Sequence, residues 1–437
     1  MGGVIALAGL TLTSLSTTTA LQSHISPVAF ADTGGLLGRR VVAEPETGVV
    51  SETTPTASLL AARRRALTTP HRPSPSATAA ATPVHSGPPA REVLGFAPQW
   101  TLNTWREWRM QDLSTIAYFA VTVDENGNTV TDDVWQGWQS QDLTDMVNAA
   151  HRAHVKVLVT LRQFDQDSIE SMLSDGNHAA TAVQTAVDLV KMRGLDGVVI
   201  DFEGTADPND PGLQTQFRWY VQRVRARLTA YRADTELVVA TFAGSAQGDG
   251  GMYDIHGLSP FVDGFFVMAY DMAGANTPGQ ASATAPLQGG QFNDTDVVAQ
   301  YLSRTTADKL ILGVPYYGYK WSVTSPDPNA ATVSDPQAAT YAQLYTDFSC
   351  AQSLSVHSGG ATPWATWYSP PGGDPCGANI GAWREAYFDT AATLGAKYDL
   401  VNRRNLRGTG MWALGFDTGH TELWDVLQSH VTAAHRS

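Results

Sequence analysis

The chain has 437 residues, 43% of them hydrophobic, with 42 acidic against 28 basic side chains and a formal charge of −14. That is enough apolar material for one large domain or two ordinary ones. The negative balance argues against nucleic acid or an anionic membrane surface as the main partner, because both need clustered Lys and Arg.

In chain order, residues 4–12 form a short apolar stretch, and Ala29-Phe30-Ala31 ahead of Asp32 fits a small-x-small cleavage site. Residues 1–31 are therefore expected to be a secretory signal, although no Lys or Arg precedes the apolar stretch. No other run approaches the roughly 18 apolar residues of a membrane span. Residues 32–90, as in "TTPHRPSPSATAAATPVHSGPPA", are rich in Ala, Thr, Ser and Pro and can bury little, which predicts a disordered linker. From residue 91 the texture becomes globular.

Eight short β-branched or aromatic runs follow: "VLGFA" (93–97), "TIAYFAVTV" (115–123), "VKVLVTL" (155–161), "DGVVIDFE" (196–203), "LVVATF" (237–242), "DGFFVMAY" (263–270), "LILGVP" (310–315) and "TGMWALG" (409–415). Near-continuous hydrophobicity marks strands covered on both faces, as parallel strands are. Stretches with helical spacing lie between them, among them "LTDMVNAAHRAH" and "TQFRWYVQRVRARLTAY". The pattern predicts an α/β fold, a (β/α)8 TIM barrel over 91–437. A doubly wound sheet is the alternative, weakened because no G-x-G-x-x-G follows the first strand.

The stretch between Pro315 and Thr409 is far longer than one helix needs. It predicts a small, β-rich insertion over about 322–382 that walls one side of a cleft. Cys350 and Cys376 both fall between the last two strands, and in an exported protein such a pair suggests a disulfide.

The fourth run poses the chemical question. Residues two apart on a strand face the same way, so Val199, Asp201 and Glu203 share one face at its C-terminal end, where barrel enzymes keep their chemistry. A buried carboxylate is costly unless it is paired, hydrogen-bonded or used. Apolar neighbours should keep Glu203 protonated, as a general acid requires. The two carboxyls approach from one side, which suits a proton donor better than an opposed donor and nucleophile. A substrate's own 2-acetamido oxygen could then be the attacker, with Asp201 orienting it. A structural carboxylate pair at a strand end is the plain alternative.

"DGVVIDFE" resembles the D-G-x-D-x-D-x-E signature of glycoside hydrolase family 18, with Asp196, Asp201 and Glu203 matching and Val199 in place of the middle Asp. "VMAYD" (267–271) resembles the family's M-x-Y-D, "LGVPYYGYKW" (312–321) its G-x-P-x-Y-G, and "GMWALGFD" (410–417) its last-strand segment. "GFAPQW", "IAYFAV" and "AKYDLVNRRNLRGTGMWALGFD" look like the bacterial spore-germination and cortex-lytic branch, without a LysM-like repeat.

The resemblance implies a substrate-assisted, retaining hydrolase of β-linked N-acetylglucosamine polymers, either chitin or peptidoglycan glycan. Glu203 would be the acid and later the base. Asp201 would hold the acetamido group and stabilise an oxazolinium-like intermediate, and Tyr270 would hydrogen-bond that group. Asp271 would bind sugar hydroxyls, Trp412 would stack beneath the sugar, and Met268 and Tyr317 would line subsites. Trp100 is a further candidate platform. A chitinase-like protein that binds glycan without cutting it is the alternative. No metal or other cofactor is required, and a monomer, secreted or held in the cell envelope, is expected.

Strand three departs from the family, with "TLRQFD" where S-x-G-G is usual, which brings Arg162 and Gln163 to the cleft. "DENGN" (124–128) reads as a turn, His151 and His154 as a solvated helix end, and "DPNDP" (207–211) as a loop near the cleft.

Overall fold

The computed structural model describes residues 91–432, apart from 207–211, 249–250, 352–353, 358–361 and 371–380. The expected signal, linker and "DPNDP" loop therefore lie outside the described residues. So does the Cys350–Cys376 pairing, because Cys376 lies within 371–380.

Each of the eight apolar runs forms a strand: β1 (Glu92–Pro98), β2 (Thr115–Thr122), β3 (Lys156–Gln163), β4 (Gly197–Phe202), β5 (Glu236–Phe242), β6 (Gly264–Met268), β7 (Leu310–Pro315) and, after an insertion, the eighth barrel strand (Gly408–Trp412). They close into one parallel barrel, in which β1 pairs with both β2 and the eighth strand. Every residue of β4, β6 and β7 is buried, which is the reason their sequences lack an alternating pattern. Phe266 fills the barrel interior where glycines leave room: a Cβ on Gly410 would lie 2.7 Å from its ring and 2.3 Å from the Leu94 carbonyl.

Crossover helices cover the outside. The helix Gly176–Arg193 starts under an Asp175 cap and ends at Gly194, whose φ of 62° suits glycine. The helix Gly212–Tyr231 turns Phe217, Tyr220, Val221, Val224 and Leu228 inward.

Charged residues at the N-terminal ends of the strands close the opposite end. Arg407 donates to Glu92 and Glu236, and Lys156 reaches Glu236 at 2.8 Å. Asp196, at the start of the signature, accepts the Val157 N–H at 2.8 Å and lies 2.9 Å from His151 Nε2. His151 is thus an exposed helix end, but it also pins strand four. "DENGN" is a turn closed by Asp124 Oδ1, which accepts the N–H groups of Asn126 and Asn128 at 3.0 and 2.8 Å.

The insertion holds a second, antiparallel sheet of five strands: β8 (Tyr317–Val323), β9 (Gln337–Thr340), β10 (Ser355–His357), β11 (Trp364–Ser369) and β12 (Ala382–Phe388). The last barrel strand, Gly408–Trp412, is β13. The sheet runs from Tyr317 to Phe388, wider at both ends than 322–382, and carries a helix, Tyr341–Cys350, which packs through Phe348 on Trp367 and Phe388. Its β8–β9 connection is stitched to the chain beyond β6: Ala281 N–H donates to the Ala330 carbonyl at 3.0 Å and Thr332 N–H to that of Gly279 at 2.9 Å.

Candidate active site

All the candidate residues sit at or just beyond the C-terminal ends of barrel strands, which a closed parallel barrel gathers at one rim. Trp100 follows β1, Asp201 and Glu203 end β4, and Met268, Tyr270 and Asp271 end β6. Tyr317 opens β8 directly after β7, and Trp412 ends β13.

Asp201 is 1% exposed, Glu203 is half-buried and Val199 is fully buried. On β3, Thr160 stands in register with Val199 and Arg162 with Asp201. Tyr253, which the sequence did not single out, lies close enough for the Glu203 and Asp201 carboxylates to bear on its phenol. Burial first, and then these two charges, push that phenol well above its ordinary range, so it stays protonated.

A second group forms around Asp271. Its φ is 60°, and its carboxylate accepts the hydroxyls of Tyr317 and, at 2.9 Å, Tyr319. The Tyr317 ring meets that of Tyr270 edge-on at 6.0 Å. Burial, followed by Asp271, Tyr319 and Tyr270, keeps the Tyr317 phenol far above its usual range and fixes it as a donor. Tyr319 was missed in the sequence, although the alternation Tyr317, Tyr319, Trp321 on one strand face carries the signal.

The third group is aromatic. Trp412 packs on Phe119 at 4.6 Å, edge to face, and on Phe96 at 5.6 Å, and is 1% exposed. Half-buried Trp100 meets the other side of this cluster through Phe119 at 6.3 Å. Arg162 packs against this aromatic cluster. Its guanidinium lies 5.6 and 5.7 Å from the Phe119 and Phe164 rings, and its Nε donates to Thr122 Oγ1 at 3.0 Å. Gln163 turns to the opposite face and bonds the Val123 carbonyl at 2.6 Å. Met268 is buried, in register with Phe242. Among the described residues no group of three His, Cys, Asp or Glu side chains could hold a metal ion, and no helix is long and apolar enough to cross a membrane.

The fold is thus a parallel eight-stranded barrel with two carboxyls at the end of strand four and Tyr270 beyond strand six. Residues 92–417 match the model for glycosyl hydrolases family 18, and the chain belongs to that family. Chitinase C of Streptomyces lividans is 29% identical over 259 residues, covering 56% of this chain and 39% of that protein, so the match spans well under half of the relative's length. The spore cortex-lytic enzyme SleL of Bacillus megaterium QM B1551 shares the fold with a TM-score of 0.61 and 16% identity, over 78% of this chain and 74% of that one. A Group IV chitinase of Ostrinia furnacalis, solved with allosamidin, does so with a TM-score of 0.64 and 18% identity, over 78% and 98%.

Proposed function

We propose that this chain is a secreted or envelope-held glycosidase that cleaves β-linked N-acetylglucosamine-containing glycan by a substrate-assisted, retaining route. The observation that carries this reading is the placement of Asp201, buried, and Glu203, half-buried, at the rim end of one barrel strand. Neighbours on one strand lie about 6.5–7 Å apart at Cα and approach a bound sugar from the same side. That geometry offers a proton donor and an orienting group, and it leaves the attack on the anomeric carbon to the substrate.

In the proposed reaction, Glu203 gives its proton to the glycosidic oxygen as the bond from that oxygen to the anomeric carbon breaks. The acetamido oxygen of the same sugar forms the new bond to that carbon, giving an oxazolinium ion. Asp201 orients the acetamido N–H and balances the positive charge, and the Tyr270 hydroxyl steadies the acetamido group. Water then attacks the anomeric carbon as its bond to the acetamido oxygen breaks, which restores the acetamido group, and passes its proton to the Glu203 carboxylate, which resets the acid; two successive displacements at one carbon retain the configuration. Asp271, its carboxylate fixed by Tyr317 and Tyr319, is the proposed hydroxyl-binding group. Secretion rests on the sequence of residues 1–31 alone.

Mass-spectrometric product analysis on chitooligosaccharides and on purified peptidoglycan glycan tests the proposal. Cleavage by the wild-type chain of at least one polymer is expected, with turnover by Glu203→Gln reduced by roughly a thousandfold or more, because the donated proton is lost. Binding without cleavage, unaffected by Glu203→Gln, would leave a carbohydrate-binding protein instead.

A further inference from the structure

The peptide unit that joins Phe202 to Glu203 is held at both ends, by two different kinds of partner. On one side the β3–β4 ladder runs to the rim, with Gln163 in register with Phe202, and the Gln163 carbonyl accepts the Glu203 N–H at 2.9 Å. On the other side the β4–β5 ladder stops at Ile200 and Val239. The Phe202 carbonyl points away from β3, because the C=O and N–H of a trans peptide point in opposite directions, and lies beyond the end of that ladder. The Tyr253 hydroxyl donates to it.

The donor is itself fixed. Tyr253 is 5% exposed, and its ring lies edge-on between Phe217 and Phe242 at 5.6 Å from each. The residues beside it are tied to the helix Gly212–Tyr231: the Gly251 carbonyl accepts Gln214 Nε2 at 2.9 Å, and Asp254 pairs with Arg218 at 2.9 Å. Asp254 also accepts the Gly257 N–H at 2.8 Å, which closes the short turn after it. A phenol kept protonated can only donate to the carbonyl.

We infer that Tyr253 is a positioning residue: by completing the hydrogen bonding of the 202–203 peptide where the pairing of β4 with β5 has ended, it sets the direction in which the Glu203 side chain enters the mouth. The Glu203 side chain leaves the backbone one bond beyond this peptide, so a tilt of the peptide plane is magnified at the carboxyl. Misplacing a reacting group by about 1 Å can cost on the order of a hundredfold in rate. The kinetic part of this inference rests on the glycosidase reading above; the clamp itself does not.

Tyr253→Phe keeps the ring between Phe217 and Phe242 and removes only the hydroxyl. Amide hydrogen–deuterium exchange over residues 197–206 of the full chain should then speed up by roughly tenfold, the effect of one lost hydrogen bond, with the other barrel strands unchanged. On whichever N-acetylglucosamine oligosaccharide the wild-type chain cleaves, kcat should fall by roughly 10- to 100-fold while KM stays within about twofold, as for a group that acts only in the transition state. Unchanged exchange at 197–206 would overturn the clamp. So would faster exchange spread over the whole barrel, which would make Tyr253 a general stabiliser. An altered KM at constant kcat would overturn the positioning role. If the wild-type chain cleaves none of the oligosaccharides, the glycosidase reading fails, and the exchange measurement still decides the clamp.

Discussion

Val199 is the residue at which this chain leaves its family's signature, and the structure gives the change a local setting. The side chain is fully buried, between Thr160 on β3 and Val238 on β5. The Thr160 hydroxyl is buried and has no hydrogen-bond partner among the described residues. An aspartate at 199 would lie two residues below Asp201 on the same face, with Thr160 beside it as a donor. Two such carboxyls share protons, so the pair would titrate in two separated steps. Val199→Asp should therefore shift the pH optimum of turnover by about a unit, as read from a pH–rate profile; an unchanged optimum would show that position 199 does not touch the chemistry. Trp412 makes a second residue-scale case. With 1% of its surface exposed and its ring packed on Phe119 and Phe96, the proposed platform is itself part of the core. Trp412→Ala should cost about 3–5 kcal/mol of stability in a urea melt in addition to any loss of binding. Lost affinity at unaltered stability would mean that the ring serves the sugar alone.

Among the elements, the two ends of the barrel do different work. At the N-terminal ends of the strands, Arg407 links Glu92 on β1 to Glu236 on β5, and the Glu236 side chain is 3% exposed. Burial first, and then the charge of Glu236, push the Glu92 carboxyl above its ordinary range, while Arg407 and Lys156 pull it back. Arg407→Ala removes the cation paired with Glu92 and leaves Glu236 to Lys156, and should destabilise the fold by about 3–5 kcal/mol, measured by denaturant unfolding. A loss below about 1 kcal/mol would show that the network behaves as a solvated surface pair. At the rim, the insertion's second sheet starts one residue after β7, so Tyr317 and Tyr319 reach Asp271 while their strand belongs to the antiparallel sheet, the proposed wall of the cleft. The root of that wall is pinned by Lys397, fully buried, which reaches Asp389 at 2.7 Å and Asp294 at 3.3 Å.

For the molecule as a whole, buried carboxyls give stability a direction with pH. Asp294, Glu385 and Asp417 are each pushed up to about 7, in every case chiefly by burial. A raised carboxyl holds a proton in the folded chain that the unfolded chain has already released. Between the ordinary carboxylate range and pH 7 the folded state thus binds more protons, and stability falls as pH rises through that window. The melting temperature should be higher near pH 5.5 than near pH 8, by scanning fluorimetry; the reverse order would mean that these groups are ionised in the fold. Much of the architecture was legible in the sequence, because parallel strands covered on both faces must be apolar throughout, and "LILGVP" or "DGFFVMAY" can hardly be read otherwise. The position of Asp201 and Glu203 at the rim end of strand four was legible because acids stand out inside such an apolar run; their roles belong to the proposal. The extent of the second sheet was not, because β8 begins within a motif that reads as barrel. Tyr253 was invisible for a physical reason as well: its partner is a backbone carbonyl 51 residues away, which no side-chain pattern announces. The central claim is that the bound sugar's own acetamido group attacks the anomeric carbon while Glu203 supplies the proton. Its most direct test is proton NMR of the first product formed from N-acetylglucosamine oligosaccharides, with fully de-N-acetylated oligosaccharides of the same length in parallel. A product of retained β configuration is expected from the first and no cleavage of the second; an inverted product, or equal cleavage of both, would contradict substrate-assisted attack.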